Sequence, residues 1–599
     1  MSEYEPQLES ILVADCGHAT TKVVLIDLVE GQYRFVARAE SLSTAGQPWQ
    51  DLSVGVVDAI QNLQAFTGRK FLDEQGQLIT PELENGQGVD GFLAISSAAS
   101  PLRVILAGLV RDVSIASARR AVLATYANIV DVISLEQPPG KDGPRTDDEA
   151  INAIWHAAPD VVCIVGGTDG GASTPLLRLV RDVVRVAVYL MGEAAPPVLF
   201  AGNAQLAEQI TKVFEGLASV QVIDNVRPLP DAENITSLQE ELEVMFYDHK
   251  MAHTPGIGTL GRWSQSVVLP TARASDYMVR FCEQAWKTGK PALAVDVGSA
   301  TVALNVCRNG RALTTVCTDL GVGYGMRSLL DQIDLNDILR WVPFEIAPVD
   351  ARDRLLNQAL HPTSIPQTRE DLWLVQAAAR EAIRLALADS LPGWPLREGM
   401  PGNLLPPCDP LIGLGHLLTR APTGGQAALI LLDALQPTGI SNLFLDERNL
   451  VPALGAVGAI EPLALVQTLR NGGLTFLGTA VAPVGSGHPG DTALALRGVD
   501  KAAGVSAEIK CGEVSVFPFH FEKKTLLELI PARGFDIGQG RGKSCTIEYR
   551  EGSVGLIVDA RGRPLELPHD AARRCARLEY WLSALGPDTS ETKVGERTN

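Results

Sequence analysis

Apolar runs of strand length that stop at a glycine turn recur along this chain, and two of them are near copies. Residues 11–26 read ILVADCGHATTKVVLI and residues 292–307 read ALAVDVGSATVALNVC. With Asp15 set over Asp296, Leu12 falls on Leu293, Gly17 on Gly298, Ala19 on Ala300 and Thr20 on Thr301. Each copy runs on into a polar turn, Glu30-Gly31 in one and Asn309-Gly310 in the other, and then into a further strand-like run. The pattern predicts a three-stranded meander in each place, with a carboxylate at the end of its first strand. Two such meanders predict two related α/β lobes facing one cleft.

Between the copies, LRVILAGLVRDVSIASARRAVLATYA reads as helix and VVCIV, PVLFAG and VQVID read as strands of a parallel α/β unit. Residues 231–290 and 325–395 read as mainly helical, and the chain beyond about 470 is strand-rich before a last helix, AARRCARLEYWLSAL. The expected division is a flexible tail over 1–10, a first lobe with an α/β insertion over 11–290 and a second lobe over 291–465. A β-rich domain over 466–584 and a flexible tail over 585–599 complete it. The β-rich domain is expected to be separable, its removal leaving both lobes folded.

Composition narrows the function. At 599 residues with 46% hydrophobic and 20% charged, the chain is a multidomain globular protein. A formal charge of −19 opposes binding to nucleic acid or anionic membrane, which needs clustered Lys and Arg. No apolar run reaches the ~20 residues of a membrane span, and no basic segment leads into an apolar one near Met1, so a cytoplasmic protein is expected. Nine cysteines without a CxxC pair read as reduced thiols.

The chemistry of D-x-G-x-A-T follows from its place at a hairpin tip. Glycine allows the sharp turn and a close approach of backbone to ligand. Exposed N–H groups and hydroxyls suit phosphate oxygens, and a carboxylate can hold Mg²⁺. Lys22 adds a point charge for phosphate. A tight hairpin alone would also use Gly and Thr, but the duplication favours a ligand site. The run VVCIVGGTDGGAS (161–173) leads from a strand through glycines to a helix beginning TPLL, which places Gly166, Gly167 and Asp169 at a helix N-terminus. Close packing of a strand-to-helix crossover explains it as readily. GQGRGKS (538–544) has one residue too few for a P-loop and is expected to be a β-turn.

At these motifs the sequence resembles the glutamate mutase L family of the actin-like ATPase (actin, Hsp70 and sugar kinase) superfamily. The resemblance rests on DCGHATTK, AISSAASPLRVILAGLV, IVGGTDGG, PVLFAGN, VVLPTARA before AVDVGSAT, LIGLGHLLTRAP, LLDALQP and LFLDERNLVPALGA, in family order across residues 11–460. It implies two actin-like, ribonuclease-H-like lobes around a nucleotide cleft, to which the β-rich C-terminal domain read from the strand pattern is added. It implies ATP or ADP with Mg²⁺ as cofactors, and a chaperone or reactivating role toward an adenosylcobalamin-dependent mutase. A homo-oligomer stays open. Carried over, Asp15, Gly17, Thr20, Thr21 and Lys22 form the first phosphate loop and Asp296, Gly298, Ser299 and Thr301 the second. Gly413 and Gly415 form the adenosine turn, Gly166 and Gly167 line the nucleotide, Asp15 and Asp296 hold the metal, and Asp169 is the acid nominated for catalysis. Relatives usually read D-x-G-S-T-x-T-K and D-x-G-G-A-T-T-D, whereas His18, Ala19, Ser299, Val302 and Ala303 stand here. Glycines are kept and polar groups lost, so slow or absent hydrolysis is expected. A degenerate scaffold, a small-molecule kinase and an ATP-dependent hydrolase remain as alternatives.

Overall fold

The computed structural model describes residues 8–136, 145–171, 173–394, 404–499, 504–520 and 525–586. The tails expected at 1–10 and 585–599 lie outside these residues except at their inner ends, where Ser10 already starts a strand and Leu585 is buried. The chain divides into one compact unit of residues 1–98, 258–313 and 319–599, and a second of 99–257 with 314–318. Among the described residues no helix is long and apolar enough to cross a membrane.

The first unit holds both meanders, except residues 314–317 at the end of the last strand. β1 (Ser10–Cys16), β2 (Thr20–Val29) and β3 (Gln32–Leu42) pair antiparallel in sequence. β4 (Gly91–Ser96) joins β1 in parallel and the short β5 (Leu269–Pro270) joins β4, giving the order β5-β4-β1-β2-β3. The second meander is β6 (Ala292–Val297), β7 (Val302–Arg308) and β8 (Arg311–Cys317), and β9 (Leu411–Leu414) and β10 (Gly439–Leu445) follow in parallel on the far side of β6. Both sheets therefore run 3-2-1-4-5 by order in the chain. This is the twofold ribonuclease-H-like arrangement that the resemblance implied.

Two helices join the halves. α1 (Thr271–Trp286) packs against α2 (Leu450–Val457), so closely that a Cβ at Gly455 would run into the carbonyl of Ala274. One core takes Ile11, Val13 and Leu93 from the first sheet, Ala294, Ile412 and Leu414 from the second, and Met278, Val451 and Leu454 from the helices.

The strand-rich C-terminal region is not a domain apart. β11 (Thr475–Ala482) pairs antiparallel with β10, β13 (Gly555–Asp559) lies parallel to β11, and β12 (Val514–Phe517) pairs with β13. The second sheet thus has eight strands, and a separate four-stranded sheet packs beside its end through Leu494, Leu527 and Val558. Ions lock the junction. Asp559 accepts from Arg561 Nε and Nη2 at 2.8 Å each and from Arg563 Nη2 at 2.6 Å. Arg561 Nη1 reaches Asp433 Oδ1 at 2.7 Å, and Arg380 Nε reaches Asp433 Oδ2 at 2.7 Å. The Arg561 guanidinium stacks on Trp581 of the last helix, α3 (Ala571–Ala584), 4.7 Å from its ring centre. The GQGRGKS segment is no P-loop: Asp536 Oδ1 takes the N–H groups of Gly538, Gln539 and Gly540, and strand Cys545–Tyr549 follows.

The second unit is a parallel sheet of five strands, with Leu102–Gly108 beside Ala127–Ser134 on one side and Val161–Ile164, Val198–Phe200 and Val220–Val222 on the other. The start of LRVILAGLVRDV is thus a strand and not a helix. Its apolar run is the signature of a strand covered on both faces, which periodicity does not separate from a buried helix.

Candidate functional site

The two D-x-G-x-A-T turns close in the same way. Gly17 N–H donates to Thr20 C=O at 3.0 Å, and Gly298 N–H to Thr301 C=O at 2.9 Å. A Cβ at Gly17 would stand 2.9 Å from the Thr20 oxygen, and one at Gly298 3.0 Å from that of Thr301, so both turns need glycine. Register then sets an asymmetry. Asp15 lies opposite Lys22, whereas Asp296 lies opposite Ala303, leaving one lysine for two hairpins.

Three further residues meet the first turn. Thr271 Oγ1, from the start of α1, donates to Asp15 Oδ1 at 3.1 Å. Asn449 Nδ2 donates to Asp15 Oδ2 at 3.0 Å, and its Oδ1 accepts from Lys22 Nζ at 3.0 Å. Asp446 caps α2, accepting from Leu450 N–H and Val451 N–H at 2.7 Å each. Burial, then the neighbouring charges of Asp15 and Asp446, push the Asp296 carboxyl up to about 6 against the pull of Lys22. Burial likewise raises Asp446 to about 6, although the helix N–H groups and Lys22 oppose it. Both carboxyls feel the charge of Lys22, and Asp296 that of Asp15 as well. The ring of His18, at the first turn, lies 6.2 Å from that of Tyr324, in the loop bonded to Ser299 of the second turn.

Three carboxylates around one ammonium leave a surplus of negative charge that suits a cation. Asp296 is the member that has no hydrogen bond among the described residues, and it stays partly exposed. Among those residues no three His, Cys, Asp or Glu side chains converge to cage a metal ion. That donor set fits Mg²⁺, which takes one or two carboxylates and completes its shell with water and ligand phosphates.

The remaining expected residues divide. Gly415 lies against the second turn: its φ is 89°, and a Cβ there would strike the Val297 carbonyl and lie 3.0 Å from Asp296 Oδ1. Gly413 does not. It sits inside β9, where a Cβ would press on Leu445, Leu418 and Leu431, so its smallness serves packing. Strand alternation turns Thr21 away from Lys22. Its buried hydroxyl, without a partner among the described residues, lies 3.1 Å from where a Gly55 Cβ would stand. Ser299 is consumed by a neighbouring loop, its Oγ accepting from Tyr324 N–H and its carbonyl from Gly323 and Gly325 N–H. Gly166, Gly167 and Asp169 belong to the second unit. There Asp169 Oδ1 accepts from Ala204 N–H at 3.0 Å and Asn225 Nδ2 at 2.9 Å, and Asn225 Nδ2 also reaches Gly167 C=O. Those are the bonds of a loop brace.

Sequence reasoning passed over Thr271, Asp446, Asn449 and the G-x-G-x-G run at Gly321, Gly323 and Gly325, which packs on the second turn. Asp446 and Asn449 carried a usable signal, an Asp and an Asn just ahead of an apolar helix.

The family described as MutL protein matches residues 11–472. Protein MutL of Clostridium tetanomorphum is 24% identical over 404 residues, covering 63% of this chain and 78% of that one. Among solved structures, nucleotide-free acetone carboxylase aligns at 10% identity over 76% of this chain and 70% of its own, with a TM-score of 0.31. The ethanolamine utilization protein EutJ of Carboxydothermus hydrogenoformans aligns at 11% identity over 78% and 90%, with a TM-score of 0.27. Component A of the Acidaminococcus fermentans (R)-2-hydroxyglutaryl-CoA dehydratase aligns at 8% identity over 77% and 98%, with a TM-score of 0.25.

Proposed function

The chain belongs to the MutL protein family, and from that premise we propose that it binds ADP or ATP with Mg²⁺ between its two meander-led halves and services an adenosylcobalamin-dependent mutase as a chaperone or reactivating factor. The observation that carries the nucleotide reading is the pair of glycine-shaped turns of identical closure, each with an aspartate at the end of its first strand, and Lys22 beside the first of them. Lys22 offers its ammonium to phosphate, and the turn N–H groups add donors without side-chain entropy. Asp15 and Asp296 would hold the magnesium ion, which when bound neutralises phosphate charge. The mutase partner follows from the family resemblance alone.

Turnover is expected to be slow. Asp15 is held by Thr271 and Asn449 and Asp446 by its helix, while Ala303 leaves the second hairpin without a carboxyl opposite Asp296. Asp296, the carboxylate left without a hydrogen bond, is assigned to the metal, so no second unbonded carboxylate stands at the turns among the described residues to take a proton from water, and the loss of such a group costs about 10²–10⁴ in rate.

Calorimetry with Mg-ADP tests the reading. Binding by the wild type, weakened at least about tenfold in Asp15→Ala and unchanged in Asp169→Ala, is the expected result. A folded wild type that binds no Mg-ADP at millimolar concentration, or one indifferent to Asp15→Ala, removes the site.

A further inference from the structure

Asn449 is carried by the second half of the molecule, yet its side chain ends between two charged groups of the first. Its carboxamide donates to Asp15 and accepts from Lys22, at 3.0 Å each, while Lys22 Nζ and Asp15 Oδ2 stand 3.9 Å apart. The Lys22 and Asp15 side chains are only 14% and 9% exposed. Opposite charges this close and this sheltered ordinarily contract to a direct contact of about 2.7–2.9 Å.

The usual reason for an asparagine ahead of a helix does not apply. Asn449 sits at the N-cap of α2 but makes no side-chain bond to that helix, because Asp446 takes the N–H groups of Leu450 and Val451. Asn449 also holds a left-handed backbone, φ 57°, which an ordinary side chain adopts at a cost and asparagine tolerates. The strained conformation and the unused capping group are both accounted for by the bonds made across to the first half.

Resting on the nucleotide reading above, we infer that Asn449 is a positioning residue that keeps Lys22 and Asp15 from neutralising each other. A neutral carboxamide satisfies the ammonium with its oxygen and the carboxylate with its N–H, so it can stand between unlike charges without cancelling either. Lys22 keeps two donors for phosphate, and Asp15 keeps its charge for the accompanying metal. Asn449 comes from the other half, so the first turn is fully prepared only while α2 lies against it.

The test is Mg-ADP calorimetry on the full chain as wild type, N449G, K22M and the double variant. Glycine deletes the carboxamide and suits the left-handed backbone. N449G is expected to weaken binding about tenfold with an unchanged melting temperature, while adding N449G to K22M costs less than about twofold, because no ammonium remains to be held apart. N449D keeps the size and the left-handed tolerance but cannot donate to Asp15, so it is expected to weaken binding as well. Wild-type affinity in N449G or N449D overturns the inference, and so does an equal loss in both backgrounds, which marks a merely structural role. If the folded wild type binds no Mg-ADP, the nucleotide reading itself fails, and the inference falls with it.

Discussion

Asp559→Asn takes one charge out of the buried ion lattice that joins the C-terminal strands to the second half. Asp559, Arg561 and Arg563 are 0% exposed at their side chains, and Asp433 is 2% exposed. Burial pushes the Asp559 carboxyl up, but the charges and hydrogen bonds of Arg561 and Arg563 prevail and hold it well below the usual carboxylate range. Asparagine leaves Arg561 with Asp433 as its one anion, which already serves Arg380, and leaves Arg563 facing only the Pro437 and Gly562 carbonyls besides the new amide. Removal of one partner from a buried ion pair costs about 3–5 kcal/mol. An unfolding entropy of about 2.1 cal/mol/K per residue over a cooperative unit of roughly 430 residues converts that to a fall of about 3–6 °C in melting temperature. Differential scanning calorimetry at pH 7 reads it directly. A group with a depressed folded pKa stabilises above its unfolded value, so the wild-type advantage should fade as pH drops below about 4. Asp559→Leu with Arg561→Met and Arg563→Met should recover most of the loss, since no charge is then stranded. A melting temperature of Asp559→Asn within 1 °C of wild type at pH 7 would refute the reasoning.

A chain ended at residue 465 loses β11, β12, β13 and Arg561, so it is expected to aggregate or melt without cooperativity; a soluble 1–465 fragment with a sharp melt counts against the eight-stranded sheet. Glu40 of β3 bridges to the other half, its carboxyl held down to about 2 by the neighbouring His416 ring, with the charges of Arg38 and Arg420 adding. Glu40→Gln should lower the melting temperature slightly at pH 7, by the ~1 kcal/mol or less of a screened pair, and the difference should close between pH ~4.5 and ~2. A gap that widens in acid reverses the predicted sign.

The meanders were legible because their determinants are local. An apolar run, a glycine turn and the residue opposite the aspartate all lie within twelve positions, and the turn needs glycine for reasons of backbone space. Distant partners were not legible. Asn449 lies 427 positions from Lys22 and 434 from Asp15, and nothing near Asn449 in the chain announces either. Leu102–Gly108 was misread because a doubly covered strand lacks the alternation that marks a half-exposed one. β13 is buried on both faces too, yet GLIVD, in a strand-rich stretch, reads correctly as a strand. Thr21 shows the opposite error: its residue type suited phosphate, but the strand period turned it to the other side.

β13 is among the last strands made, yet it lies between β11 and β12 in the sheet. A ribosome releases residues in order, so strands completed earlier must wait with an open place among them until residues 555–563 emerge. Until then Asp433 lacks Arg561 and β11 has a bare edge, both of which disfavour the finished packing. The second half therefore cannot mature ahead of its own synthesis. A stalled or clipped product carries its defect where chaperones and proteases look, in exposed backbone and unpaired charge, and only a chain translated through Arg563 passes as native.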